Sequence, residues 1–177
     1  ADLPESSIHL SSVDLAGLSG ALETEPVRLS ALLTHAVMKC RCAVELELVE
    51  SPLLAGRRHE ARAAFEVGFD ENGRINAGDL RLALDGGWFV NDSTNALDRA
   101  LLHGDAVYGI PHLSLKAQLC RTNQVISSSL AAEGAAQATW AMEEVMRRVA
   151  HVTNRSPVEV REKNFYNEES ELKTTPY

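Results

Sequence analysis

Cysteine, histidine, glutamate and arginine are the residues of this chain whose spacing can be tested against a known chemistry. Cys40, Cys42 and Cys120 are odd in number and include no Cys-x-x-Cys pair, so they complete neither a soft-metal site nor a disulfide framework. Cys40 and Cys42 lie two apart at what reads as a strand entrance and would face one side. Half of a soft-metal site is one reading; buried or half-buried thiols, the commoner fate of free cysteine, is the other. Either fits a reducing cytoplasm. His9, His35, His59, His103, His112 and His151 stand singly, without metal-ligand spacing, which predicts structural or surface roles and no metal site. Glu23 adjoins a helix start, where a carboxylate ordinarily partners the N-terminal dipole. Arg99 has Asp98 and Asp105 nearby, and pairing with either is its ordinary role.

The charge balance limits the partners. Twenty-five acidic residues against 17 Lys and Arg give a net charge of -8, and basic residues adjoin only at Arg57-Arg58 and Arg147-Arg148. Such a surface repels a phosphate backbone, so nucleic acid is not an expected partner. Apolar runs are far shorter than the ~20 residues that span a bilayer, and the first residues lack a basic segment followed by an apolar one. Neither membrane insertion nor a leader is expected. With 45% hydrophobic and 24% charged residues in 177, the chain should pack into one domain or two small lobes.

The elements that must position these residues are read from periodicity. Ile8 to Leu15 reads as extended, and the Gly17–Gly20 region as loop or helix start. Val27, Leu29, Leu32, Leu33, Ala36 and Val37 recur at helical spacing behind Pro26, which suits a first turn. Cys42, Val44, Leu46 and Leu48 alternate with more polar residues, predicting a strand with one wet face. Ala61, Ala63, Phe65, Val67 and Phe69 alternate likewise, and Asp70-Glu71-Asn72-Gly73 supplies a turn. Ile75 to Leu84 is the return arm of that hairpin, and Trp88 to Val90 would extend the sheet. Three or more antiparallel strands are expected, with Leu113 to Leu119 alternating again. Helices are expected within 91–104, over 131–151, and from Ser156-Pro157-Val158-Glu159, a capping box with proline at the first helical position, to about Lys163-Asn164. The class is α+β, a mixed or antiparallel sheet with packed helices. No internal repeat or low-complexity segment is present.

Several stretches, in order, resemble the large subunit of the molybdenum hydroxylases, the xanthine dehydrogenase and aldehyde oxidase family. Arg57-Arg58-His59 stands where that family has Gly-Lys-Arg-His or Gly-Arg-His. Val67-Gly68-Phe69-Asp70, Gly73-Arg74-Ile75 and Gly87-Trp88 follow. Asp98-Arg99-Ala100-Leu101-Leu102-His103-Gly104-Asp105, Tyr108, Pro111 and Arg121-Thr122-Asn123 are the most specific part. Glu159-Val160-Arg161, Asn164-Phe165-Tyr166 and Thr175-Pro176-Tyr177 complete the series, so the resemblance covers about residues 8–177. It implies one lobe of such a subunit: residues 1–177 as a partial molybdopterin-binding domain, with possible sub-lobes at about 1–56 and 57–177.

The resemblance also implies a reaction, the hydroxylation of a purine or related heterocycle with oxygen from water. Molybdenum in molybdopterin would be the cofactor. FAD and 2Fe-2S clusters would lie on other domains or subunits, since this chain has no four-cysteine iron-sulfur pattern and no dinucleotide glycine fingerprint. The family's Gly-Gly-Gly-Phe-Gly-Gly-Lys-Glu loop falls on Ala16-Gly17-Leu18-Ser19-Gly20-Ala21-Leu22-Glu23, which makes Glu23 the general base and leaves Gly17 and Gly20 as cofactor contacts. Arg99 takes the position of an arginine that binds the purine and steadies its developing negative charge. The family's Phe-Arg-Gly-Phe-Gly-Gly-Pro-Gln loop falls on Leu130-Ala131-Ala132-Glu133-Gly134-Ala135-Ala136-Gln137, where Gly134 and Gln137 are the shared cofactor contacts. Glu133 there replaces a substrate-stacking aromatic. Alanine and glutamate favour helix, so this loop is expected to become the first turn of the long helix. A non-catalytic scaffold or assembly domain of the same fold is the alternative function.

Overall fold

The computed structural model describes residues 4, 6, 9, 25–47, 57–128 and 132–166. Within them α1 spans Glu25–Cys40, β1 Ala61–Phe69, β2 Ile75–Gly87, α2 Ser93–Leu102, β3 His112–Arg121, α3 Ala135–Val152 and α4 Pro157–Asn164. The expected segment over Ile8–Leu15 falls almost wholly outside the described residues, as do Gly17, Gly20 and Glu23.

The hairpin forms as its alternation requires. Ala61, Ala63, Phe65, Val67 and Phe69 are half-buried on one face of β1 while the residues between them are exposed. β1 pairs antiparallel with β2, Ala61 facing Leu84. The turn closes because Asp70 Oδ1 accepts from the backbone N–H groups of Asn72 at 2.8 Å and Arg74 at 3.0 Å, and Gly73 takes φ +82°, a value that costs glycine little.

The direction of β3 makes the sheet mixed, the first of the two expected forms. The sheet order is β1-β2-β3, with β3 parallel to β2 and Ala77 facing His112. Alternation reports faces and not direction. The direction follows from residues 88–111, which carry α2 between the two strands and make a crossover of the kind that parallel neighbours need. Trp88 to Val90 does not extend the sheet: these residues sit exposed in a turn. β2 ends at Gly87, where φ is +76° and an added Cβ would lie 2.4 Å from Val125 O.

The strand expected at 42–48 is also absent over its described part, 42–47. Its alternation provides two faces but no ladder partner among the described residues, and a strand without a ladder has no reason to persist. Cys40 and Cys42 are exposed and Cys120 is intermediate, so the first two are not the buried thiols expected.

One face of the sheet carries the core. Leu80, Leu82 and Leu84 of β2 pack with Ala96 and Ala100 of α2 and with Ala138, Ala141, Met142, Val145, Met146 and Val149 of α3. The α3 residues recur at three- and four-residue spacing, the buried stripe of an amphipathic helix. α4 closes one end: Ser156 Oγ accepts from Val158 N–H and Glu159 Oε2 accepts from Ser156 N–H, the predicted box. No helix among the described residues is long and apolar enough to cross a membrane.

Candidate functional site

Among the described residues, a dense set of buried polar side chains lies where residues 57–60, the start of α2 and the turn before α3 meet. Arg57 anchors the first segment by an ion pair with Asp85 and by its carbonyl, which accepts from Ser128 N–H at 3.0 Å. That holds His59 inside, 2% exposed, with Ser93 and Glu133 wholly buried. Glu133 Oε1 accepts from His59 N–H at 2.9 Å, lies 3.0 Å from His59 Nδ1 and accepts from Gln137 Nε2. Oε2 faces Arg58 Nη1 at 3.0 Å. His59 Nε2 lies 2.8 Å from Ser93 Oγ, the first residue of α2.

Burial by itself raises the Glu133 pKa. The hydrogen bonds from the His59 ring, Gln137 and the His59 backbone outweigh it and hold the carboxyl below its ordinary 4.5. An ionised carboxylate only accepts, so the network places a hydrogen on Nδ1, while Nε2 and the Ser93 hydroxyl share the second bond of the ring. Serine, histidine and carboxylate thus stand in the hydrogen-bond order of an acyl-transfer triad. The hydroxyl is enclosed, however, and no acyl group can reach it. The arrangement is an internal brace.

Beside this brace Gly134 meets the backbone of α2, the helix that carries Arg99. Ala96 and Ala100 are buried against α3 while Arg99, on the flank of α2, is exposed. The Asp105 carboxylate beside its helix accepts from Tyr166 Oη at 2.8 Å. Gly134 takes φ +83°, and an added Cβ would sit 1.9 Å from Ala96 O and 3.0 Å from Ala100 N. Its missing side chain is what lets α2 and α3 touch.

The loop before α3 is not the first turn of the helix, which corrects that expectation. Residues 132–134 form a turn, Ala132 at φ +58° and Gly134 at +83°, and α3 starts only at Ala135. Left-handed backbone and the close approach to α2 outweigh the helix propensity of the alanines. In the sequence Glu133 is legible only as a charge in place of an aromatic ring, and His59 only as one of the isolated histidines. The i, i+4 spacing of Glu133 and Gln137 was the one local signal that the two side chains meet.

A molybdopterin contact at this corner can be tested on Gly134 and Gln137. Gly134 N–H donates to Gln137 Oε1 at 2.8 Å, and Gly134 O accepts from Ala138 N–H at 3.0 Å. Gln137 Nε2 donates to His59 O at 3.0 Å as well as to Glu133. Their hydrogen-bonding groups are engaged internally, and the space beside Gly134 is filled by α2 backbone. These two residues do not fit a cofactor contact. A separate open cleft of about 460 Å³ is lined by Phe65, Trp140 and Arg148 among others. Its arginines are tied to glutamates: Arg147 and Arg148 to Glu144, Arg161 to Glu143.

The family described as "Molybdopterin cofactor-binding domain" matches residues 1–165. Xanthine dehydrogenase from Oryza sativa subsp. japonica is 32% identical over 172 residues, 96% of this chain and 13% of that protein. Aldehyde oxidase 3 from Mus musculus is 29% identical over 93% of this chain and 12% of its own length. Among solved structures, the aldehyde oxidoreductase from Desulfovibrio desulfuricans superposes with a TM-score of 0.61 at 22% identity, over 67% of this chain and 13% of that one. A Cu,Mo-CO dehydrogenase gives 0.62 at 18% identity, over 79% and 19%. These likenesses give the fold. The chain spans about an eighth of the curated relatives' length, and by the extent of the family match it belongs to the molybdopterin cofactor-binding domain family of the molybdenum hydroxylases.

Proposed function

We propose that this chain is the substrate-side lobe of a xanthine dehydrogenase-like molybdenum hydroxylase whose complete form oxidises purines or related heterocycles with water. The observation that carries the reading is the state of Arg99. Its helix is clamped through Ser93, Ala96 and Ala100, while its own guanidinium is exposed and unpaired among the described residues. A planar fork of donors held on a fixed helix suits a heterocycle that gains negative charge as it reacts. Glu23 would take the proton. Molybdopterin would supply the oxidising centre in the assembled enzyme, with FAD and 2Fe-2S clusters on other domains or subunits. Three free thiols suit a cytoplasmic site for that enzyme.

The test is Arg99→Met in the assembled enzyme with a purine substrate. We expect kcat/KM to fall by about 10²-fold or more, the scale of losing one charge-stabilising donor, with folding unchanged. Unaltered kcat/KM would remove Arg99 from the substrate site. A non-catalytic scaffold is the second reading, and the internal engagement of Gly134 and Gln137 favours it; full activity of an assembly lacking this chain would support it.

The proposed division into sub-lobes at about 56/57 draws support from the buried core, whose members among the described residues fall between Ile75 and Val160.

A further inference from the structure

We propose that the α2–α3 corner, where the family carries a substrate-facing aromatic, has become in this chain a closed structural brace that makes no molybdopterin contact. Three observations converge on it. Glu133 occupies the aromatic's position, yet its carboxylate is wholly buried and meets His59, Gln137 and Arg58. Gln137, shared with the family, has its oxygen on Gly134 N–H and its nitrogen on His59 O and Glu133. Gly134, also shared, uses its open side to admit Ala96 O of α2.

The chemistry explains why glutamate suits this position. The His59 backbone N–H, the His59 ring and the Gln137 amide all present hydrogens to one buried point. A phenyl ring there would leave those donors without an acceptor, a cost that buried polar groups do not bear. An ionised carboxylate serves them all, and through His59 it also fixes the Ser93 hydroxyl at the start of α2. Cofactor contacts in the assembled enzyme must then come from other segments. The inference stands whether or not Arg99 binds a heterocycle.

Three measurements on the full chain test it. Diethylpyrocarbonate should modify the exposed His35, His112 and His151 and spare His59 in the native protein; modification of His59 at their rate would overturn the brace. Glu133→Phe, which restores the family's residue type, should lower Tm by about 10 °C, as breaking a buried charged network does, and should gain no affinity for added molybdopterin. An undiminished Tm together with molybdopterin-dependent stabilisation would mean that a pocket stands open behind Glu133, and the inference fails. Gln137→Glu keeps the acceptor for Gly134 and removes the donor. It should lower Tm in the absence of cofactor while leaving any molybdopterin-induced shift of Tm as large as in the unmutated chain. Loss of that shift with an unchanged starting Tm would show that Gln137 touches the cofactor.

Discussion

A Cβ at position 134 would overlap Ala96 O, at a backbone φ of +83° that already disfavours any side chain. Gly134→Ala should therefore destabilise the fold by about 2–4 kcal/mol, in the range of strain and core overpacking; urea unfolding would measure it, and a loss below about 0.5 kcal/mol would mean that α2 can withdraw freely. Glu133 and Asp85 are the most buried of the carboxylates whose pKa folding lowers, a set that also holds Asp70, Asp79 and Glu144. For Asp85 burial raises the pKa, but the Thr122 hydroxyl, the Gly87 N–H and Arg57 lower it further, so the net shift is downward, as for Glu133. Both are depressed in the folded chain relative to the ordinary 3.8 and 4.5. Their contribution to stability is thus complete above those values and is lost as pH falls through the lower, folded ones. Unfolding followed from pH 7 downward should show a decline beginning near pH 4.5, and Glu133→Gln should flatten part of it. An equal slope in the variant would assign the acid sensitivity elsewhere.

At the scale of elements, α4 is tied to the hairpin by one side chain. Asn164, 1% exposed, donates Nδ2–H to Gly73 O and to Val160 O and accepts from Ile75 N–H, each at 2.8 Å. Asn164→Ala would leave Ile75 N–H and Gly73 O without that partner. It should cost about 2–3 kcal/mol by the penalty for unsatisfied buried groups, and hydrogen exchange at Ile75 should accelerate; slow exchange there would mean another group replaces the amide. A second tie joins α3 to α4. Glu143 accepts from Tyr108 Oη and, at 2.7 Å, from Arg161 Nε. Burial, and then the bond to the Glu143 carboxylate, push the Tyr108 phenol well above its ordinary range. The helices themselves were legible, because the buried stripe of α3 and the Ser156 box depend on residues close in sequence. The direction of β3 was not, since the alternation of Leu113 to Leu119 is the same in a parallel as in an antiparallel ladder.

At the scale of the molecule, the buried apolar residues among those described fall within 75–160, which predicts that a shortened chain of residues 57–166 folds alone. Its cooperative thermal transition should lie within about 5 °C of the full chain's, a difference of roughly 1–2 kcal/mol, by circular dichroism. Loss of cooperativity would show that residues 1–56 complete the core and that the proposed sub-lobes are one unit.

The sequence by itself determined what local pattern can carry: α3 and α4, the hairpin with its Asp70–Gly73 turn, and, through the ordered motifs from Arg57 to Tyr166, the family. Tertiary structure decided the rest. Only a ladder partner makes a strand of an alternating segment, and residues 42–47 have none among the described residues despite their pattern. Only the packing of α2 on α3 fixes Gly134 outside the helix that its alanine neighbours favour. Glu133, His59 and Ser93 are far apart in sequence, and no spacing rule brings them together. Their chemistry depends on burial, which removes water and obliges each donor to find an acceptor within the protein.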